Sequence, residues 1–123
     1  MSLSKAEEQL MEIIWKHKKV FMKDIIENYP EPKPAKTTIA TLLKRVQNKG
    51  YVGYHLFGNS RQYYPLIEKG KYFSEHVKGI ISKFFNGSSI GFASFFTKST
   101  DLFKTELEKL REIIDKEIEK KDK

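Results

Sequence analysis

The stretch Ala35-Lys36-Thr37-Thr38-Ile39-Ala40-Thr41-Leu42-Leu43-Lys44-Arg45-Val46-Gln47-Asn48-Lys49-Gly50 decides the fold. Ile39, Leu42, Leu43 and Val46 recur at helical spacing, so a helix over 35–49 buries one narrow stripe. Gly50 stands where a left-handed residue ends such a helix. Advancing about 100° per residue from the stripe puts Thr37, Thr41, Lys44 and Asn48 on the opposite face, flanked by Thr38, Ala40 and Arg45. That face carries cations, hydroxyls and a carboxamide, and no acid.

Downstream, Tyr51-Val52-Gly53-Tyr54-His55-Leu56-Phe57 and Ser60-Arg61-Gln62-Tyr63-Tyr64-Pro65-Leu66 flank Gly58-Asn59. Aromatic and β-branched runs on either side of a two-residue turn predict a β-hairpin. Upstream, Ser4-Lys5-Ala6-Glu7 has the form of a capping box, and Ala6, Leu10, Ile13 and Ile14 give the helix it starts one apolar face. A short helix over 21–29 follows, with Phe21, Ile25, Ile26 and Tyr29 at helical spacing. Pro30, Pro32 and Pro34 then forbid continuation. Past Glu68 the helical period returns in Tyr72, Phe73, Val77, Ile80, Ile81, Phe84 and Phe85, ending at Asn86-Gly87. A shorter helix over 88–96 and a last one from 100 or 101 onward complete the chain, the last striped by Phe103, Leu107, Leu110, Ile114 and Ile118.

At 123 residues the chain is too short for a large multidomain enzyme. It has no Cys, which excludes disulfides, thiolate metal sites and a Cys nucleophile and suits a reducing cytoplasmic setting. No apolar run approaches the roughly 20 residues of a membrane span, so no membrane association is expected. The net charge of +7 matters less than its distribution. Between Glu31 and Glu68 there is no acid, while Lys33, Lys36, Lys44, Arg45, Lys49 and Arg61 all lie in that interval. Three scattered His residues, no Gly-rich phosphate loop and carboxylates interleaved with Lys leave no catalytic constellation, no metal site and no cofactor. The aromatics Tyr51, Tyr54, Phe57, Tyr63 and Tyr64 alternate as hairpin packing requires, and stacking on single-stranded bases is the weaker explanation.

Three helices followed by a hairpin, with cations and hydroxyls on the third helix, have the shape of a winged helix-turn-helix, whose third helix enters the major groove while the hairpin rests on the backbone or minor groove. The fold class is therefore mainly α with a small β-hairpin: a winged helix-turn-helix over 1–67 and a helical dimerisation region over 68–123. A fragment ending near Ile67 is expected to fold by itself.

The pieces Leu3-Ser4-Lys5-Ala6-Glu7 through Ile13-Ile14-Trp15, Thr38-Ile39-Ala40-Thr41-Leu42-Leu43-Lys44-Arg45-Val46-Gln47-Asn48-Lys49-Gly50-Tyr51 and Arg61-Gln62-Tyr63-Tyr64-Pro65 resemble the penicillinase repressor family, which controls β-lactamase and methicillin resistance. The resemblance implies a homodimeric repressor on a palindromic double-stranded DNA operator, released when a sensor-linked protease severs the dimerisation region. It also marks departures. The family often has Trp just before the recognition helix, where this chain has its prolines. A relative has Arg where this chain has Ala40, and the Cys-rich tail of the copper-responsive branch is missing. Cleavage in the antibiotic-responsive branch falls at an Asn-Phe bond, to which Ser94-Phe95 is the nearest match.

The expected DNA contacts are Lys36, Thr37, Thr38, Thr41, Lys44, Arg45, Asn48 and Arg61. Dimerisation is assigned to Phe84, Phe85, Phe95, Phe96, Phe103, Leu107, Leu110 and Ile114, more apolar surface than short helices bury alone. The rival function is a winged-helix module that docks a partner protein without sequence-specific DNA binding. The acid-free interval favours DNA, since a protein-docking surface has no need to exclude acids.

Overall fold

A computed structural model of the chain describes residues 3–122 and resolves into two compact units divided between His76 and Val77. In the first unit α1 (Lys5–His17), β1 (Val20–Phe21), α2 (Met22–Asn28), α3 (Lys36–Asn48), β2 (Val52–Phe57) and β3 (Ser60–Pro65) follow in order. The strands form one antiparallel sheet in the order β1-β3-β2. The hairpin is the one expected, with Leu56 opposite Arg61 and Phe57 opposite Ser60 beside the turn. Gly58 has φ +63° while Asn59 does not share the positive region, the arrangement of a turn with Gly first. The third strand, β1, was not anticipated. Two residues carry no readable period, and Val20 and Phe21 become a strand only by pairing with Tyr63 and Gln62.

Local chemistry fixes the helix ends. At α1 the Glu7 amide donates to Ser4 Oγ at 3.2 Å and the Ser4 amide returns to Glu7 Oε1 at 2.7 Å, satisfying two orphan donors. Lys33 Nζ closes α2, donating to the carbonyls of Ile26, Glu27 and Tyr29 at 3.0, 3.2 and 2.7 Å. After α3, Gly50 adopts φ +83°, its amide donating to Gln47 O and that of Tyr51 to Val46 O. This is the paired carbonyl closure of a Schellman ending, with the buried Val46 and Tyr51 at the positions its apolar contact uses.

At the centre of the core lie Leu10, Met11 and Ile14 from α1, Val20 from β1, Ile25 from α2, and Ile39, Leu43 and Val46 from α3. All four residues of the α3 stripe are buried. This unit continues past Ile67 to His76. Tyr72, near the start of α4 (Lys69–Phe84), packs its ring 5.7 Å from Trp15 and 5.8 Å from Tyr51. Its hydroxyl accepts from the Leu3 amide at 3.2 Å and donates to Glu8 Oε2 at 3.1 Å. The Trp15 indole N–H donates to Ile67 O at 2.8 Å, tying the exit of the sheet to α1.

The second unit holds the rest of α4, then α5 (Ser89–Ser99) and α6 (Lys104–Lys121). Phe85 meets Phe92 and Phe95, each at 5.6 Å between ring centroids, yet among the described residues of this unit none is buried. No described helix is long and apolar enough to cross a membrane.

Candidate nucleic-acid interface

Because α3 turns its apolar stripe inward, Lys36, Thr37, Thr38, Thr41, Lys44, Arg45 and Asn48 are all exposed on its other side. No acid lies in the first turn, and no side chain caps Ala35. The Thr41 hydroxyl donates to Thr37 O at 3.0 Å, which commits its proton to the helix and leaves its lone pairs and methyl facing outward. Arg61 joins this surface from β3. Lys44, Asn48 and Arg61 line one groove together with Ala40, Gln47 and Tyr54, so three of the expected contact residues converge there. A second groove brings Arg61 and Lys36 together with Lys23 from α2. Its acid, Asp24, is engaged, accepting from the Phe21 amide at 2.9 Å.

Sequence spacing missed Lys23, Gln47 and Tyr54 as members of this surface. Lys23 arrives only because β1 pairs with β3, and the position of Tyr54 depends on which face of the hairpin meets α3. A signal did exist for Tyr54. It alternates with Val52 on one strand face and pairs with the buried Tyr63 opposite.

The acid-free interval needs one correction. Of its six cations, Lys33 is spent on closing α2, and Lys49 Nζ lies 2.7 Å from Glu7 Oε1. Glu7 is 2% exposed. Burial alone raises the pKa of its carboxyl, but the Lys49 hydrogen bond, the Ser4 amide and hydroxyl and the attraction of the ammonium outweigh it. The group therefore titrates below the ordinary carboxylate value. The missing counter-charge of Lys49 was 42 residues away in sequence. Lys36, Lys44, Arg45 and Arg61 remain exposed. Among the described residues no group of His, Cys, Asp or Glu is placed to hold a metal ion.

In the second unit the residues assigned to dimerisation are largely uncovered. Phe84 is 68% exposed, Phe103 74%, Phe95 55% and Ile114 56%. Phe96 and Leu107 are also exposed, and Phe85 and Leu110 are half-buried. Ser94 and Phe95 sit inside α5, with Ser94 half-buried. That helix is capped by a side chain at its start. The Ser88 hydroxyl accepts from the Gly91 amide at 2.8 Å, and a Cβ on Gly91 would come within 3.2 Å of the same oxygen. The glycine therefore makes room for the cap.

Comparison with known proteins gives one consistent result. Residues 3–116 match the penicillinase repressor family. The methicillin resistance regulatory protein MecI of Staphylococcus aureus strain N315 is 32% identical over 115 residues, 93% of this chain and 94% of the relative. The penicillinase repressor of Bacillus licheniformis is 26% identical over 120 residues, 97% of this chain and 94% of the relative. Among solved structures, the DNA-binding domain of the repressor BlaI superposes with TM-score 0.52 at 30% identity, covering 58% of this chain and 88% of that one. The Bacillus licheniformis BlaI monomeric form in complex with the blaP half-operator gives TM-score 0.50 at 30% identity, covering 58% and 89%. The named relatives are regulators, in line with a sequence that offered no catalytic constellation. With nearly its whole length matched and the same winged-helix fold, the chain belongs to the penicillinase repressor family.

Proposed function

We propose that this protein is a homodimeric transcriptional repressor that binds a palindromic operator in the cytoplasm. On this reading it governs a β-lactamase-type resistance operon. The observation that carries it is the outer face of α3, where Lys36, Lys44 and Arg45 stand exposed among threonines with no acid between them, beside a hairpin that presents Arg61. A duplex offers phosphates to the cations and base edges to Thr37, Thr38 and Thr41. The relative BlaI, seen in complex with a half-operator, supports the same use here.

Dimerisation falls to the second unit. None of its described residues is fully buried, and Phe84, Phe95, Phe103 and Ile114 leave a broad apolar surface that a second copy covers by two-fold symmetry. Two weak winged helices bind tightly only while joined, because the second engagement is then intramolecular. A sensor-linked protease that severs the joint therefore releases the operator without touching the DNA surface. A cut between Ser94 and Phe95 requires α5 to open, since both residues lie within the helix.

Footprinting of the full chain on DNA upstream of its own coding region tests the proposal. Two protected half-sites about one helical turn apart are expected, weakened together by Arg45→Ala. Uniform weak protection unaffected by Arg45→Ala would support the protein-docking alternative instead.

A further inference from the structure

The hairpin from Tyr51 to Leu66 carries a single permanent charge, Arg61, and otherwise only one His. Its tip is apolar, with Leu56 64% and Phe57 56% exposed. Any electrostatic hold of this wing on an anion thus depends on where one guanidinium is kept. An exposed Arg ordinarily samples many rotamers, and ordering it on binding costs conformational entropy.

Here the guanidinium is not left to wander. Its carbon lies 4.3 Å from the centroid of the Tyr54 ring, close enough for a cation–π contact. Tyr54 is opposite Tyr63 in the ladder, and Arg61 is opposite Leu56, so the two side chains are diagonal neighbours on one face of the hairpin. The Tyr54 ring is itself seated against Tyr63, 6.1 Å between centroids, and Tyr63 is buried in the core. A chain of contacts therefore runs from the core through two aromatic rings to the cation. It holds Arg61 beside the groove lined by Lys44 and Asn48.

We infer that Tyr54 is a positioning residue that pre-orders Arg61, and that Arg61, Lys44 and Asn48 together form a binding site for one phosphodiester of the DNA backbone. An ammonium, a planar guanidinium fork and a carboxamide on one groove match the oxygens of a phosphate. The site joins the wing to the carboxyl-terminal half of α3, so it also fixes the angle at which the helix meets the duplex. This inference rests on the DNA-binding reading above.

Two measurements on the full chain separate the inference from that reading. In the protein without DNA, the Arg61 side-chain protons should be shifted upfield in the NMR spectrum by the Tyr54 ring current. The shift should persist in Tyr54→Phe and vanish in Tyr54→Leu. With an operator duplex, Tyr54→Leu should weaken binding about two- to five-fold, the range expected for an exposed cation–π contact. Tyr54→Phe should recover that loss, and Arg61→Ala should abolish the effect of Tyr54→Leu. Arg61→Ala should also make the salt dependence shallower by about 0.9 per subunit, a change that a merely structural hairpin residue does not produce. An Arg61 spectrum indifferent to Tyr54, or equal losses from Tyr54→Leu with and without Arg61, would overturn the inference while leaving the repressor reading intact. A wild-type chain with the ring-current shift but no affinity for duplex would overturn the repressor reading, and the phosphate site with it.

Discussion

Replacing Lys49 by Met should unsettle the recognition helix from its far end. Lys49 Nζ is 2.7 Å from Glu7 Oε1, with side-chain exposures of 26% and 3%. The pair joins the first turn of α1 to the end of α3. Removing one partner of a fully buried pair costs about 3–5 kcal/mol, because the other charge is left without compensation. The Ser4 amide still serves Glu7 and water reaches the Lys49 side, so the expected cost is smaller, about 2–3 kcal/mol. Trp15, the sole Trp and 8% exposed, reports the unfolding of this unit by fluorescence in urea at a fixed protein concentration. With an m-value of about 1 kcal/mol/M, the midpoint should fall by about 2–3 M. The effect should depend on pH with a definite sign. Glu7 has a lowered folded pKa, so its contribution is complete above the unfolded value of about 4.3 and is lost as pH falls through the folded value. In Lys49→Met the hydrogen bond and attraction of the ammonium are lost while the Ser4 contacts stay, so the Glu7 pKa rises from its wild-type value, and the difference between variant and wild type should shrink as pH falls from the variant's higher value through the wild type's lowered one. A midpoint change under about 0.5 M, the same at pH 7 and pH 4, would refute the assignment of Lys49 to Glu7.

Tyr29 Oη is buried without a hydrogen-bond partner among the described residues, so Tyr29→Phe should leave stability unchanged or raise it by up to about 1 kcal/mol; a loss beyond that would mean the hydroxyl is satisfied. A fragment of residues 1–76 should sediment as a monomer and unfold cooperatively, and a fragment of 1–67, lacking Tyr72 against Trp15 and Tyr51, should be less stable. Dimerisation of the 1–76 fragment as tight as that of the full chain would place the joint elsewhere. Mass spectrometry of the protein from cells induced with a β-lactam should reveal an amino-terminal piece ending near Ser94; full induction with an intact chain would remove proteolysis from the proposal.

Most of the first unit's fold was legible because α1 and α3 announce their buried sides. Ile39, Leu42, Leu43 and Val46 define α3, and once they are inside, the exposed set Thr37, Thr41, Lys44 and Asn48 follows by rotation. Ser4 with Glu7, and Gly50 after Asn48, likewise act through neighbours in sequence. What spacing left hidden was long-range pairing. The strand Val20–Phe21 exists only against β3, Lys49 is neutralised by a carboxylate 42 residues away, and Tyr72 joins the core from beyond the boundary expected at 67. The cap on α5 was hidden for a different reason. Gly91 suggests a weak helix until the approach of the Ser88 hydroxyl shows what the missing side chain permits.

The most direct test of DNA recognition is the salt dependence of binding by the full chain to its operator and to a scrambled duplex, followed by fluorescence anisotropy. Each phosphate neutralised contributes about −0.9 to the slope of log K against log salt. Two subunits, each presenting Lys23, Lys36, Lys44, Arg45 and Arg61, set a limit near −9, and a slope between about −4 and −9 is expected. The operator should bind at least about 10³-fold more tightly than the scrambled sequence. Equal affinity for the two duplexes, or a slope shallower than about −2, would contradict the claim that this surface reads DNA.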